Sequence, residues 1–167
     1  MKPHTLSVLV ENRAGVLSRV AGMFSRRGFN IESLAVGPCE EPNMSRVTIV
    51  VNGDDGVVEQ VMKQTNKLID VIKVSDLTER ESVERELALI KVAAEPGTSR
   101  AEILQIADIF RAQVVDVGSK TLVLQVAGDT GKIDALEKLL RQYGIKELVR
   151  TGKVALLRGA KTVKSSK

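Results

Sequence analysis

Apolar and polar residues follow two successive patterns of the same kind along the chain. In the first, alternation over residues 5–10 predicts a half-buried strand, and apolar residues at helical spacing predict a helix over residues 16–26. Two β-rich stretches, a second helical pattern and a closing strand follow, at residues 30–36, 45–51, 58–68 and 69–74. This order, strand–helix–strand–strand–helix–strand, is that of a ferredoxin-like domain.

The same order of predicted elements returns in the second half of the chain. Residues 87–94 predict a strand, and Gly-Ser-Lys at residues 118–120 predicts a hairpin between two short strands. A last strand or hairpin is expected over residues 145–157, with a break at 151–153. The pattern therefore predicts an α+β protein of two consecutive ferredoxin-like βαββαβ domains.

A segment rich in charge and poor in apolar residues separates the two halves. We interpret it as a linker, because boundaries between domains fall in exposed polar segments. The predicted organisation is a first domain at residues 1–78, a charged linker at 79–86, a second domain at 87–159 and a basic tail at 160–167.

The helices of the second half carry capping signals. Ser99 and Glu102 stand at the spacing of a capping box, and Asp129 or Thr130 is expected to cap the last helix. Leu139 is expected to face the core from that helix.

The turn between the first strand and the first helix, residues 12–15, has the composition of an anion site. The first N–H groups of a helix lack intrahelical partners and carry partial positive charge, so they can hold a carboxylate. Gly15 would allow a ligand to approach the backbone. Asn12 and Asn30 flank the helix, and an Asn amide can meet either end of a zwitterion. A purely structural interpretation also stands: Asn12 caps the helix, Gly28 ends it and Asn30 starts a strand.

Composition and charge narrow the class of protein. Hydrophobic residues make up 43% of the 167 residues, which is enough for a core, and no apolar run is long enough to span a bilayer. The net charge is +4, but three lysines lie in the tail without an acid, so a nucleic-acid surface is not indicated. A single cysteine, Cys39, and a polar start without a signal peptide predict a cytoplasmic protein.

The chain offers little catalytic chemistry, so we predict that it is not an enzyme. It has one histidine and one cysteine, which excludes a Cys/His zinc site and argues against a histidine-based triad. The acidic pairs at 40–41 and 54–55 lie in predicted turns and are interpreted as solvated or capping. A faint phosphate-loop pattern at 128–133 has the wrong glycine spacing. No catalytic residue, metal site or cofactor site is therefore assigned.

Three motifs together resemble one known family. ENRAGVL at residues 11–17, GFNIESL at 28–34 and SRVTIV at 45–50 resemble the regulatory (small) subunit of acetohydroxyacid synthase, also called acetolactate synthase. The resemblance runs from about residue 5 to about residue 159 and implies that the first domain is an ACT domain, an amino-acid-sensing module. No turn like ENRAGVL recurs in the second half, so the second domain is not expected to sense the same ligand in the same way.

The resemblance implies a function and a set of partners. The chain would activate the catalytic large subunit and confer feedback inhibition by valine, with isoleucine or leucine as other candidate effectors, in branched-chain amino acid biosynthesis. Thiamine diphosphate, magnesium and FAD would belong to the large subunit. Two chains would pair as a homodimer through their ACT domains, with the ligand at the seam.

The predicted ligand site follows from this pairing. The N–H groups of Gly15 and Val16 would receive the carboxylate, while Asn12 of the same chain and Asn30 of the facing chain bracket the polar end. Apolar residues, Leu34 and Val36 foremost, would shape the side-chain pocket. The complete predicted valine site is Asn12, Gly15, Val16, Leu17, Asn30, Ile31, Leu34 and Val36.

One alternative function remains from the sequence. The chain could be a free-standing ACT-domain sensor that regulates another enzyme or transcription, although no helix-turn-helix and no basic face outside the tail is found. Co-purification of a large partner that carries thiamine diphosphate would separate the two functions.

Overall fold

The computed structural model describes residues 2–163, and the chain divides into two compact units. Residues 2–83 form the first unit together with 153–163, and Glu84–Gly152 forms the second. Each unit contains the predicted strand–helix–strand–strand–helix–strand order, so the prediction of two ferredoxin-like βαββαβ folds is confirmed.

The first unit is an antiparallel four-stranded sheet with two helices on one face. Its elements in chain order are β1 (Lys2–Glu11), α1 (Val16–Arg26), β2 (Ile31–Pro38), β3 (Met44–Gly53), α2 (Asp55–Thr65) and β4 (Val71–Asp76). The strand order β2-β3-β1-β4 puts β1 inside the sheet and β2 at one edge. The core lies between the sheet and the helices, because alternate residues of β1 and β3 meet apolar stripes of α1 and α2; it includes Leu6, Val8, Val20, Phe24, Ile49, Val58 and Val61.

The second unit repeats this architecture with its own core. Its elements are β5 (Ser82–Ala93), α3 (Arg100–Ile109), β6 (Gln113–Val117), β7 (Thr121–Gly128), α4 (Thr130–Leu140), a 3-10 helix (Arg141–Tyr143) and β8 (Ile145–Arg150). The strand order β6-β7-β5-β8 matches that of the first sheet. The core comprises residues such as Ile90, Val92, Ile103, Leu124, Ile133, Leu136 and Leu140.

The outer face of the first sheet, opposite the helices, is covered by the chain's own C-terminal segment, residues 153–163. This segment includes a short strand, β9 (Val154–Leu157), and the N–H of Arg158 donates to the carbonyl of Glu81 at 2.9 Å. A small apolar cluster forms there from Leu77, Ala155 and Val163, with Leu157 packed against it. The outward residues of β1 are consequently buried, although two of them are polar: Thr5, Ser7 and Leu9.

Polar contacts fix this segment on the sheet. The N–H of Lys153 donates to Ser33 Oγ on β2 at 3.1 Å. Nη1 of Arg46 on β3 donates to the carbonyl of Val163 at 3.0 Å. The structure therefore differs from the predicted boundaries, because residues 153–163 belong with the first unit rather than with a second domain at 87–159 and a tail at 160–167. Residues 164–167 of the predicted tail lie outside the described residues.

Four local predictions are wrong. Part of the predicted linker at 79–86 is strand, since β5 begins at Ser82. Ser99 does not cap α3; its hydroxyl accepts from the N–H of Glu95 at 3.2 Å instead. Leu139 is 43% exposed, and Leu68 lies beyond the end of α2. The cap at Asp129 is confirmed, because its carboxylate accepts from the N–H of Lys132 at 2.8 Å.

Within residues 2–163, the helices are too short or too polar for any of them to cross a membrane.

Candidate functional site

The turn before α1 is held by backbone contacts and ends in a left-handed glycine. Gly15 occupies the N-cap position with φ of +82°, a conformation that glycine adopts far more easily than other residues. The N–H of Asn12 donates to the carbonyl of Asn43, just before β3, at 2.8 Å, so the backbone of Asn12 is held in place. Asn12 is therefore not the helix cap, and its side chain is exposed.

The first turn of α1 presents free N–H groups. Among the described residues, the N–H groups of Gly15, Leu17 and Ser18 make no hydrogen bond to a backbone carbonyl, and no side chain at the N-cap position accepts from them. The N–H of Val16, which the sequence assigned to the ligand, instead makes a long hydrogen bond of 3.4 Å to the carbonyl of Arg13. An anion at this helix end would thus meet Gly15 and Leu17 more readily than Val16.

Arg19 adds a cation to this end of the helix, and the sequence analysis missed it. Its guanidinium donates to Asp70 through Nε at 2.8 Å and pairs through Nη2 at 2.7 Å. Asp70 is buried, and it lies just before β4. The remaining nitrogen, Nη1, faces the turn, because a Cβ added at Gly15 would come within 3.0 Å of it. The spacing of four residues between Gly15 and Arg19 could have revealed this contact, but the pairing with Asp70 could not.

The second family motif, GFNIESL, has a partly structural role. Gly28 ends α1 with φ of +75°, as the structural interpretation predicted. Phe29 packs edge-on against Phe24, with ring centroids 6.5 Å apart, and lies over Gly53, where a Cβ would come within 2.6 Å of its ring. Asn30 comes directly after Gly28 and Phe29, and its side chain is exposed. Because β2 begins at Ile31, Asn30 precedes the strand.

Within one chain, the predicted site residues fall at the two ends of the sheet. Asn12, Gly15 and Leu17 lie at the end where β1 finishes, and the register places Val36 towards the same end. The 11 residues of α1 span about 16 Å at 1.5 Å per residue, so Asn30 lies far from the turn at Gly15. Exposure also separates the apolar candidates, since Val36 is 49% exposed while Ile31 and Leu34 pack against the core.

A second polar cluster lies near the start of β1. His4 is buried, with Nδ1 3.4 Å from Asp76 Oδ2 and Nε2 3.3 Å from Asp55 Oδ1. Burial by itself raises the pKa of Asp76, but hydrogen bonds from the hydroxyl and N–H of Thr78 and from His4 outweigh it and lower that pKa. In the part of the chain that the structure describes, no group of three or more acidic, His or Cys side chains is arranged to hold a metal ion.

Comparison with known proteins covers both units. Residues 6–73 match a family model described as an AHAS small subunit-like ACT domain, and residues 85–159 match one described as the small subunit of acetolactate synthase. A probable acetolactate synthase small subunit of Archaeoglobus fulgidus is 61% identical over 158 residues, covering 95% of this chain and 98% of that protein. The acetolactate synthase small subunit of Mycobacterium bovis is 51% identical over 166 residues, covering 99% and 98%.

A solved structure agrees with these relatives. The crystal structure of the acetolactate synthase small subunit from Thermotoga maritima superposes with a TM-score of 0.88 at 41% sequence identity, covering 96% of this chain and 100% of that one. Fold, motifs and relatives coincide over both units of the chain. The chain therefore belongs to the family of acetolactate synthase small subunits, and its first unit is an ACT domain.

Proposed function

We propose that this chain activates the catalytic large subunit of acetolactate synthase and confers feedback inhibition by valine. The observation that carries the proposal is the glycine-led end of α1, with unpartnered N–H groups and a guanidinium beside them. This end fits the carboxylate of an amino acid, which is the effector that the family resemblance implies. Isoleucine and leucine stay candidate effectors, because one methylene in an apolar pocket changes affinity by only about 1–3 kcal/mol.

The ligand's carboxylate would lie against the N–H groups of Gly15 and Leu17, within reach of Nη1 of Arg19. Asp70 supports this arrangement, because its buried carboxylate orients the guanidinium without covering Nη1. A carboxylate that accepts hydrogen bonds from charged and backbone donors gains more than it would from neutral donors alone. Asn12 would then meet the ligand's ammonium through its side-chain oxygen.

A second copy of the chain would complete the site. Among the described strands β2 pairs with β3 alone, so its other edge is available for a partner strand. If two copies pair antiparallel along β2 about a two-fold axis, the Asn30 end of one strand lies beside the Val36 end of the other. Such pairing would bring Asn30 of the partner subunit towards Asn12 and Gly15 of the first chain. The separation of Asn30 from Asn12 within one chain therefore supports a site shared by two chains.

A site shared by two chains gives a basis for regulation. A ligand shifts an equilibrium only by its differential affinity for the two states. If valine binds more tightly to one arrangement of the paired β2 strands, the complex with the large subunit shifts towards the state that contains it. By linkage, the catalytic subunit then changes the affinity of the small subunit for valine by the same factor.

The remaining parts of the proposal concern the complex. Thiamine diphosphate, magnesium and FAD would be held by the large subunit, so this chain would carry no catalytic step, and the complex would act in the cytoplasm. The alternative, a free-standing sensor, predicts that no such partner is retained.

Reconstitution tests the proposal. The isolated chain is expected to sediment as a dimer or larger species at micromolar concentration and to show no synthase activity. Mixed with the large subunit of its source organism, it should co-purify, raise turnover and make the activity sensitive to valine. A clean monomer with and without valine would contradict the shared site. Failure to bind or to activate the large subunit would favour the free-standing sensor.

A further inference from the structure

The chain is anchored on both sides of a single glycine where it passes from the second unit back to the first. Thr151 is bound within the second unit, because its N–H donates to the carbonyl of Leu87 at 3.0 Å and its hydroxyl accepts from the N–H of Leu87 at 3.1 Å. Two residues later, the N–H of Lys153 donates to Ser33 Oγ in the first unit at 3.1 Å. Only Gly152 lies between these two anchored residues.

The segment that follows, residues 153–163, is held along the outer face of the first sheet; we call it the C-terminal strap. Within this segment β9 pairs with β5, and Arg46 on β3 adds side-chain hydrogen bonds to its far end. Nη1 of Arg46 donates to the carbonyl of Val163 at 3.0 Å and reaches Ser7 Oγ at 3.4 Å, while Nη2 donates to Glu40 at 3.1 Å. The side chain of Arg46 is only 15% exposed, and Ser7 is fully buried. These contacts give the strap a defined position on the sheet.

The first fastening lies on β2, the strand that the proposed ligand site uses. Ser33 points to the outer face of the sheet, while Leu34 and Val36 lie on the other face with the core. Ser33 therefore contacts the strap without taking part in the ligand pocket. A rearrangement of β2 at the seam would move Ser33, and the strap is bonded to it.

We propose that the C-terminal strap carries the effector signal from β2 to the second unit, with Ser33 and Arg46 as positioning residues. This inference rests on the proposed function, since it needs an effector that acts on β2. The strap is covalently continuous with β8, and its bonds to Ser33 and Arg46 make its position depend on the first sheet. The physical basis for such coupling is an element with two arrangements whose equilibrium both sites bias.

Two substitutions loosen the strap without touching the proposed pocket. Arg46→Met removes the donors to Val163 and Ser7 but keeps an unbranched apolar stem, and Ser33→Ala removes the acceptor of the Lys153 N–H. Arg85→Met is a matched control, because the described contact of this exposed guanidinium is to the carbonyl of the neighbouring residue. Ser119→Ala, in the exposed turn between β6 and β7, is the control for Ser33→Ala.

The experiment measures valine binding and valine inhibition separately in each full-length variant. Calorimetry on the isolated chain gives the affinity, and the reconstituted synthase gives the activation and the half-inhibitory valine concentration. We expect Arg46→Met and Ser33→Ala to raise that concentration at least fivefold, at the lower end of typical coupling factors, with affinity and activation within about twofold of the wild type. Both controls should be inhibited as the wild type is.

The outcomes separate the inference from the proposed function. Folded strap variants that are inhibited at the wild-type concentration overturn the role of the strap, as does a parallel loss of affinity and inhibition. Absence of valine binding by the wild-type chain overturns the proposed function and the inference together. A second measurement does not depend on any variant: amide exchange over 151–163 in the wild-type chain should change on valine addition, and unchanged exchange contradicts the inference.

Discussion

Gly15→Asp is expected to separate inhibition from activation. The new carboxylate would project from the turn where we place the ligand's own carboxylate, and its Cβ would lie 3.0 Å from Nη1 of Arg19. At about 4 Å, two like charges repel by about 1 kcal/mol in water. The loss of a hydrogen bond to a charged group adds roughly 1.5–3 kcal/mol. Since about 1.4 kcal/mol is one decade of affinity, valine binding should weaken at least tenfold.

The same substitution has a cost in stability that the structure reveals. Gly15 has φ of +82°, and a residue with a side chain loses roughly 1–2 kcal/mol in the left-handed region. An acidic residue at a helix start returns about 0.3–1 kcal/mol through the helix dipole. The net loss of about 1 kcal/mol corresponds to a fall of roughly 2–4 °C in the melting temperature of a chain of this size. The variant should therefore fold and assemble at 25 °C.

The assay is reconstituted synthase activity titrated with valine, with a control matched for backbone strain. Gly97 has φ of +77° with no atom within 4 Å of an added Cβ, and it lies before α3 in the second unit. Gly97→Asp should lose similar stability but keep the valine response. If Gly15→Asp assembles and is inhibited at the wild-type concentration, the site at the start of α1 is wrong. If both variants lose inhibition equally, strain explains the effect. Asn30→Ala should weaken inhibition in the same direction, but less, because it adds no charge.

Three further predictions test other parts of the structure. Hydrogen bonds lower the pKa of Asp76 in the folded chain, so the Asp76 carboxylate stabilises the fold at pH values above its ordinary pKa of 3.8. This stabilisation is lost as the pH falls through the lowered pKa. Asp76→Asn should therefore flatten the acid limb of a stability–pH curve, and an unchanged limb would contradict this. Asp129→Ala should lower the free energy of unfolding by about 1 kcal/mol in urea titrations, because it removes a cap bond. Ser99→Ala removes no cap bond and should lower that free energy by less. Equal losses would contradict the assigned caps. A chain ending at Glu79 keeps the proposed contacts of one chain and should bind valine. It lacks the strap residues that pack with Leu77, so we expect a lower melting temperature and binding of a hydrophobic dye. A truncated chain as stable as the full one would show that the strap adds little.

The candidate site was only partly predictable from the sequence. The turn at 12–15 and the start of α1 at Val16 follow from local signals, because a strand pattern, a glycine and a helical stripe adjoin there. The pairing of Arg19 with Asp70 joins residues 51 positions apart and leaves no periodic trace. At Ser99 the local signal was present but misleading. Ser99 and Glu102 have the spacing of a capping box, yet the Ser99 hydroxyl accepts from the N–H of Glu95 instead of capping α3.

The sequence by itself determined the order of the elements in both units. Hydrophobic periodicity reports which face of each strand and helix is buried, and that pattern is written locally along the chain. Only the tertiary structure decided what covers the outer face of the first sheet. Residues 153–163 follow β8 in sequence and read as its continuation, yet they are held by Ser33 and Arg46, more than 100 positions earlier. Contacts at such separation depend on the packed arrangement of the whole sheet, so local pattern could not reveal that the last strand belongs to the first unit.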